Sequence, residues 1–429
     1  MVSQVAWLNF DAEQQRRTQL MMAALAGQGT VDELGLGIIR DLISGTLHPG
    51  MTVLYTRAKY LLFVPRIYCG LSGRTTDSVI SEGRKQESRL INALVSHYDA
   101  HRDETDRGII GRRRGDDTRQ LASAIYWGML QDLDILHLPG SLTDYCRHVA
   151  GQSTLRHTRS LLQGEDDVDD SAQLVWRELP KADPATPTSF DLSRDEAEWL
   201  SERFLRREMA RPPEARSLIS WLLDSDRTEW FSDVHQAWEH PSAAQFPSAT
   251  AVAMWLGRDL DRLVDGARIL YNLLCAKGRP PGRVQDELVS RYESLLDDWY
   301  EELRQNGLPS AERLRQLDDW TTNRLTERAV SWSTRIRWDS TRRFLESWRR
   351  TVDGGSDVRN EADAARLIVQ RESDLKPGRA RLRDPALLTD WQGGSGMGRF
   401  GYNWTVTQRI LGDIHAGLGT RIVSAAVDE

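Results

Sequence analysis

The spacing of apolar residues constrains this chain more than any other feature. Val284, Leu288, Tyr292, Leu295, Trp299 and Leu303 recur at intervals of four and three, which lays one stripe along an α-helix. Asn306-Gly307 follows, a pair suited to the left-handed turn that ends a helix. Leu260, Leu263, Val264, Ala267, Leu270, Tyr271 and Leu274 predict a second helix, apolar enough to be central. In DLSRDEAEWL, Ser193 and Glu196 form a capping box, so a helix is expected to start there and run through about Glu208. Leu121, Ile125, Met129 and Leu133 mark another, which leads into LDILHLPG, and Val406 to His415 a last one. Strand-like runs are few: Val5-Ala6-Trp7-Leu8 and Ile109-Ile110. The expected fold is mainly α and multi-helical, in two to three subdomains. It has at most a small N-terminal sheet or winged-helix-like element.

A chain of 429 residues is too long for one compact core. The acidic run from Gln163 to Ser171 and the proline-bearing stretch from Pro180 to Ser189 suggest a junction near 155–190. Asp353-Gly354-Gly355-Ser356 suggests a second break. The expected parts are an N-terminal helical domain (1–155), a central helical domain (190–352) and a basic, glycine-rich C-terminal segment with the last helix (353–429). Fifteen tryptophans are spread from Trp7 to Trp404; the large apolar indole favours burial with its N–H bonded, so most read as core or interface pins.

The net charge of -7 argues against a general nucleic-acid coat, so any such contact must be local. Cys69, Cys146 and Cys275 are odd in number and widely spaced, which supports neither a disulfide framework nor a thiolate zinc site. No secretory leader or membrane span is read from the sequence, which points to a cytoplasmic protein.

The motifs for chemistry fall short. GGSGMGRF lacks the lysine and hydroxyl residue of a phosphate-binding loop, and LGLGIIR lacks the third glycine of a dinucleotide fingerprint; both read as turns. His235 to His240, HQAWEH, has one residue too many for an inverted zincin motif. Asp166, Asp167, Asp169 and Asp170 lack the glycine and terminal glutamate of a calcium loop and read as a solvated linker. No cofactor, metal or catalytic residue is assigned.

The basic clusters carry the functional candidates. Arg112, Arg113 and Arg114 lie between Gly111 and Gly115, a loop able to present guanidinium forks to phosphates, though Asp116 and Asp117 partly neutralise it. In LKPGRARLRD, Lys376, Arg379, Arg381 and Arg383 alternate with small or apolar residues. Arg399, Tyr402 and Trp404 follow. Cations with stacking rings suit single-stranded or distorted nucleic acid, so all ten are candidate nucleic-acid-binding residues.

AWLNF, TVDELGLGIIRDLISGTLHPG, TRAKYLLFVPRIY, GIIGRRRG, SAIYWGML, ARILYNLL, LKPGRARL and GSGMGRFGYNW, in that order, resemble a bacterial domain-of-unknown-function family, number six-three-six-one. Only His48, where that family is usually apolar, and Gly401, where it is usually acidic, depart from the pattern. The resemblance supplies no catalytic residue. It implies an association with anti-phage defence gene clusters, beside helicases and phospholipase-D-like nucleases. Two readings follow: a non-catalytic, DNA-associated scaffold or adaptor subunit of a defence complex, with no membrane partner, or a nuclease with a divergent centre built from acids such as Asp32, Glu33 and Asp41 near Arg40. Thr30 and Glu33 also read as a capping box.

Overall fold

A computed structural model of the chain describes residues 33–101, 108–115, 118, 120–163, 175–181, 188–224, 229–389, 391 and 393–423. Thr30, Asp32, Asp116, Asp117, the run at Val5 to Leu8 and the acidic run at Asp166 to Asp170 lie outside the described residues. Among the described residues are fourteen α-helices. They are α1 (Gly37–Leu47), α2 (Tyr60–Tyr68), α3 (Thr76–His101), α4 (Ala122–Asp132), α5 (Leu142–Gln163), α6 (Arg194–Glu208) and α7 (Leu218–Leu222). Then come α8 (Ser248–Lys277), α9 (Arg283–Asn306), α10 (Ala311–Glu327), α11 (Trp332–Asp353), α12 (Ala362–Leu375), α13 (Pro385–Thr389) and α14 (Trp404–Leu418). The fold is mainly α, as the periodicity predicts.

The small sheet is not N-terminal. Strands β1 (Glu229–Phe231) and β2 (Arg421–Val423) pair in parallel, with Trp230 opposite Ile422. Trp230 stacks on His415 of α14 with ring centroids 4.6 Å apart, and this contact brings the residues after α14 alongside β1. Ile109 and Ile110 form part of a turn rather than a strand; the Ile110 N–H donates to the Tyr60 hydroxyl at 2.9 Å.

Two compact units form, each from segments distant in sequence. The first comprises the described residues of Met1–Ile43 and Val252–Tyr402, the second Ser44–Ala251 and those of Asn403–Glu429. These limits differ from the three consecutive parts read from the sequence, because the chain changes unit inside α1 and α8, where no linker-like composition marks a boundary.

In the first unit α8 is central. Leu260, Leu263, Val264, Ala267, Leu270 and Tyr271 are all buried. Gly266 gives α9 its seat: a Cβ there would lie 2.4 Å from the Trp299 ring. The Trp299 indole donates to the Arg262 carbonyl at 2.8 Å, and the Trp348 indole to the Leu263 carbonyl at 2.8 Å. α9 ends at Gly307, as expected, with a positive φ of 75° that glycine adopts readily, although its ψ of 154° lies outside the left-handed helical turn. Its stripe is buried at Tyr292, Leu296 and Trp299, with Leu296 rather than Leu295 at the centre. α11 packs on α10 and α12.

In the second unit α14 packs on α6, α3 on α5, and α2 on α4. α6 starts at the expected capping box, with the Glu196 N–H donating to Ser193 Oγ and the Ser193 N–H to Glu196 Oε2. Tyr68, Trp127, Tyr145 and Trp176 meet edge-to-face around Tyr145, whose hydroxyl donates to the Tyr68 carbonyl at 2.7 Å. His48 sits fully buried beside Trp404, with neither ring nitrogen hydrogen-bonded, and burial pushes its imidazole down to about 3. Of the fourteen described tryptophans, eight are buried and only Trp332 is exposed, which fits their reading as pins.

Two stability predictions arise here. Gly266→Ala is expected to cost about 1–3 kcal/mol by forcing the Trp299 ring away from α8, read as a lower denaturation midpoint; an unchanged midpoint contradicts the close packing. The folded His48 imidazole has a lowered pKa, so the unfolded chain alone takes up its proton between about 6.5 and about 3, and stability falls as pH drops through that window. His48→Leu is expected to raise stability by about 1–3 kcal/mol by removing two unpaired polar atoms. It should also make the acid limb of the stability–pH curve shallower, and a steeper limb contradicts the assignment.

Candidate nucleic-acid interface

The turn carrying Arg112, Arg113 and Arg114 belongs to the second unit. Gly111 and Gly115 hold φ of 88° and 50°, a region that disfavours side chains. A Cβ on Gly111 would meet Thr118 Oγ1 at 2.6 Å. The Arg114 and Gly115 N–H groups donate to the Gly111 carbonyl at 3.0 and 2.8 Å, and buried Thr118 closes the loop through its hydroxyl on the Gly115 carbonyl at 2.6 Å. With the backbone thus fixed, all three arginines are exposed. Arg112 pairs with Asp99 at 2.8 Å, a solvent-exposed contact of the kind worth about 0–1 kcal/mol and easily exchanged for a phosphate. Arg113 and Arg114 make no ion pair among the described residues.

The second basic cluster, Lys376, Arg379, Arg381 and Arg383, belongs to the first unit, and half of it is turned onto a buried carboxylate. Glu33, 3% exposed, is held by Lys376 and by Arg381 at 2.6 Å. The Tyr271 hydroxyl lies within hydrogen-bond distance of both Glu33 and Glu372. Fully buried Glu372 accepts the backbone N–H groups of Arg381 and Leu382 at 3.1 and 2.9 Å. A buried carboxylate needs a cation or several donors, and the LKPGRARL segment supplies both. Only Arg379 and Arg383 are exposed; Arg383 reaches Ser373 Oγ at 3.3 Å.

Arg399 is exposed but is also engaged by carboxylates. It pairs with Glu302, with Asp261 at 3.4 Å and with Asp265 at 3.6 Å. Burial alone would lower its pKa, but these three carboxylates raise it. Arg268, 4% exposed, pairs with Asp261 at 2.7 Å and lies over the Phe400 ring at 4.4 Å. Burial raises the Asp265 carboxyl above its usual range, against the pull of Arg268. The stretch between Trp391 and Tyr402 is therefore clasped to α8 by charge. Gly393, Gly394, Gly396 and Gly398 all have positive φ, so GGSGMGRF is a run of turns, as expected.

Tyr402 and Trp404 are not stacking platforms. Tyr402 is 3% exposed and its hydroxyl donates to the Gly257 carbonyl at 2.8 Å; Trp404 is 1% exposed and its indole donates to the Val234 carbonyl at 2.9 Å. Their rings fill the core, and their polar atoms are satisfied there.

The acids considered for a nuclease centre are engaged too, Glu33 as above and Asp41 by Arg40 at 3.0 Å. His240 is buried among Trp221, Phe231 and Phe246 at the end of a short 3-10 turn, and His235 is exposed. Among the described residues no group of three His, Cys, Asp or Glu side chains is placed to hold a metal ion. Sequence reading missed Asp261, Asp265, Glu302 and Glu372 as the partners of the basic cluster. Asp261, Asp265 and Arg268, at i, i+4 and i+7 on one face of α8, were the one local signal.

Lys376→Ala with Arg381→Ala leaves Glu33 buried without a cation. The pair of changes is expected to cost about 3–5 kcal/mol, with part of that stability restored by adding Glu33→Gln. A double variant as stable as the parent contradicts the clasp.

No curated protein and no solved structure matches the chain. A model of a family of unknown function, DUF6361, matches residues 2–417. With nearly its whole length covered by that match, the chain belongs to the DUF6361 family.

Proposed function

We propose that this protein is a non-catalytic, DNA-associated scaffold or adaptor subunit of a bacterial anti-phage defence system, acting with a helicase or a phospholipase-D-like nuclease. The observation that carries the DNA contact is the GRRRG turn: a backbone locked by Gly111, Gly115 and Thr118 that leaves three guanidinium groups exposed. Such a turn grips phosphates without reading bases, a role consistent with a subunit that holds DNA for a partner. The defence setting and the partners rest on the family resemblance. A nuclease reading has less support, because Glu33 and Asp41 are each paired with cations.

The test is Arg112→Ala/Arg113→Ala/Arg114→Ala in the full chain, with duplex DNA titrated at several salt concentrations. Removing each arginine–phosphate pair should flatten the log–log salt slope by about 0.9, while thermal stability stays near that of the parent. Unchanged affinity and slope would overturn the assignment of this turn.

A further inference from the structure

α11 concentrates charge that the fold does not use. It carries six arginines against three acids in a chain of net charge -7. Two of the six are paired with carboxylates: Arg342 with Asp318 and Glu346, and Arg349 with Asp353. Arg335, Arg337, Arg343 and Arg350 are exposed and have no carboxylate partner among the described residues. Arg337, Arg343 and Arg350 touch only oxygens of their own helix, namely Thr334 Oγ1, the Asp339 carbonyl, and the Glu346 carbonyl with Ser347 Oγ.

The same outer face holds apolar surface that has not gone into the core. Trp332 is 76% exposed and Ile336 48%, whereas Trp338, Phe344, Leu345 and Trp348 on the opposite face are buried. At 100° per residue, Trp332, Ile336, Asp339, Arg343 and Arg350 fall on one ridge, two arginines against one acid. Beside that ridge, between α10 and α11, lies a groove of about 420 Å³ lined by Leu314, Leu317 and Leu345, by Arg342, Arg349 and Arg350, and by the carboxylates Asp318 and Glu346.

From this ridge and groove we infer that α11 is a binding surface for single-stranded nucleic acid. Trp332 is the platform on which an unstacked base sits, and Arg335 and Arg343, on the same side of the helix, pair with phosphates of that strand. An exposed indole among unpaired guanidinium groups favours a strand with free base faces over a duplex, whose bases are already stacked. It also favours a strand over an acidic protein segment, which offers charge but no flat ring. This inference rests on the nucleic-acid reading proposed above and adds the strand class and a second surface.

The experiment titrates the full chain into a labelled oligothymidylate of about twenty nucleotides, and into a duplex of equal length, over a salt series. Trp332→Ala is expected to weaken oligothymidylate binding about tenfold with little change in salt slope, and Trp332→Phe to retain most of it. Arg335→Ala/Arg343→Ala should flatten the slope by about 0.7 for each phosphate no longer neutralised. These side chains are exposed, and circular dichroism on each variant confirms the fold. Parental oligothymidylate binding by both α11 variants overturns the inference, and if the Arg112–Arg114 variant binds duplex more weakly, the proposed function still stands. The reverse pattern supports α11 and removes the GRRRG turn. Displacement of oligothymidylate by polyglutamate at equal charge concentration overturns the inference in favour of an acidic protein, and no binding of either nucleic acid by the parent overturns both readings.

Discussion

Carboxylates buried inside the helical first unit dictate which arginines remain for anything else. Glu33, Asp261 and Glu372 lie within the core at 0–3% exposure, where an unpaired charge would cost several kcal/mol. Each draws cations or N–H groups inward: Lys376 and Arg381 onto Glu33, Arg268 and Arg399 onto Asp261, the backbone of Arg381 and Leu382 onto Glu372. The glycine-rich stretch before α14 is tied to α8 at two points, through the Phe400 N–H on Asp261 at 2.8 Å and the Asn272 amide on the Ser395 carbonyl at 2.8 Å. A basic segment that looks like a nucleic-acid track in sequence is, for the most part, a structural clasp.

The arginines left outside are held differently. The GRRRG turn owes its shape to two left-handed glycines and one buried threonine, none of which engages the guanidinium groups. On α11 the helix itself sets the spacing, and burial of Trp338, Phe344 and Trp348 on one side fixes which arginines face out. In both places the backbone is hydrogen-bonded and the cations are exposed, the combination that favours sequence-independent phosphate contacts.

How much of this was legible depended on range. The Ser193–Glu196 box, the end of α9 at Gly307 and the apolar body of α8 are set by residues within a few positions of one another, and each was readable. β1 and β2 were not, since three-residue strands formed by segments 190 positions apart leave no alternating pattern. The roles of Tyr402 and Trp404 were misread because aromatic rings beside arginines look alike in sequence whether they face solvent or core. The Lys376 and Arg381 contacts to Glu33 span some 350 residues and carry no local signal. The α11 ridge could have been seen, because WSTRIRWDSTRRFLESWRR combines helical period with six arginines; arginines spaced along a helix are less conspicuous than a consecutive run.

The division between clasped and exposed arginines is tested most directly by amide hydrogen exchange of the full chain alone, with saturating oligothymidylate and with saturating duplex. The account predicts slower exchange in the first half of α11 with oligothymidylate and at 111–115 with duplex, with 376–402 unchanged by either. Protection confined to 376–402, with both other regions unaffected, would contradict it.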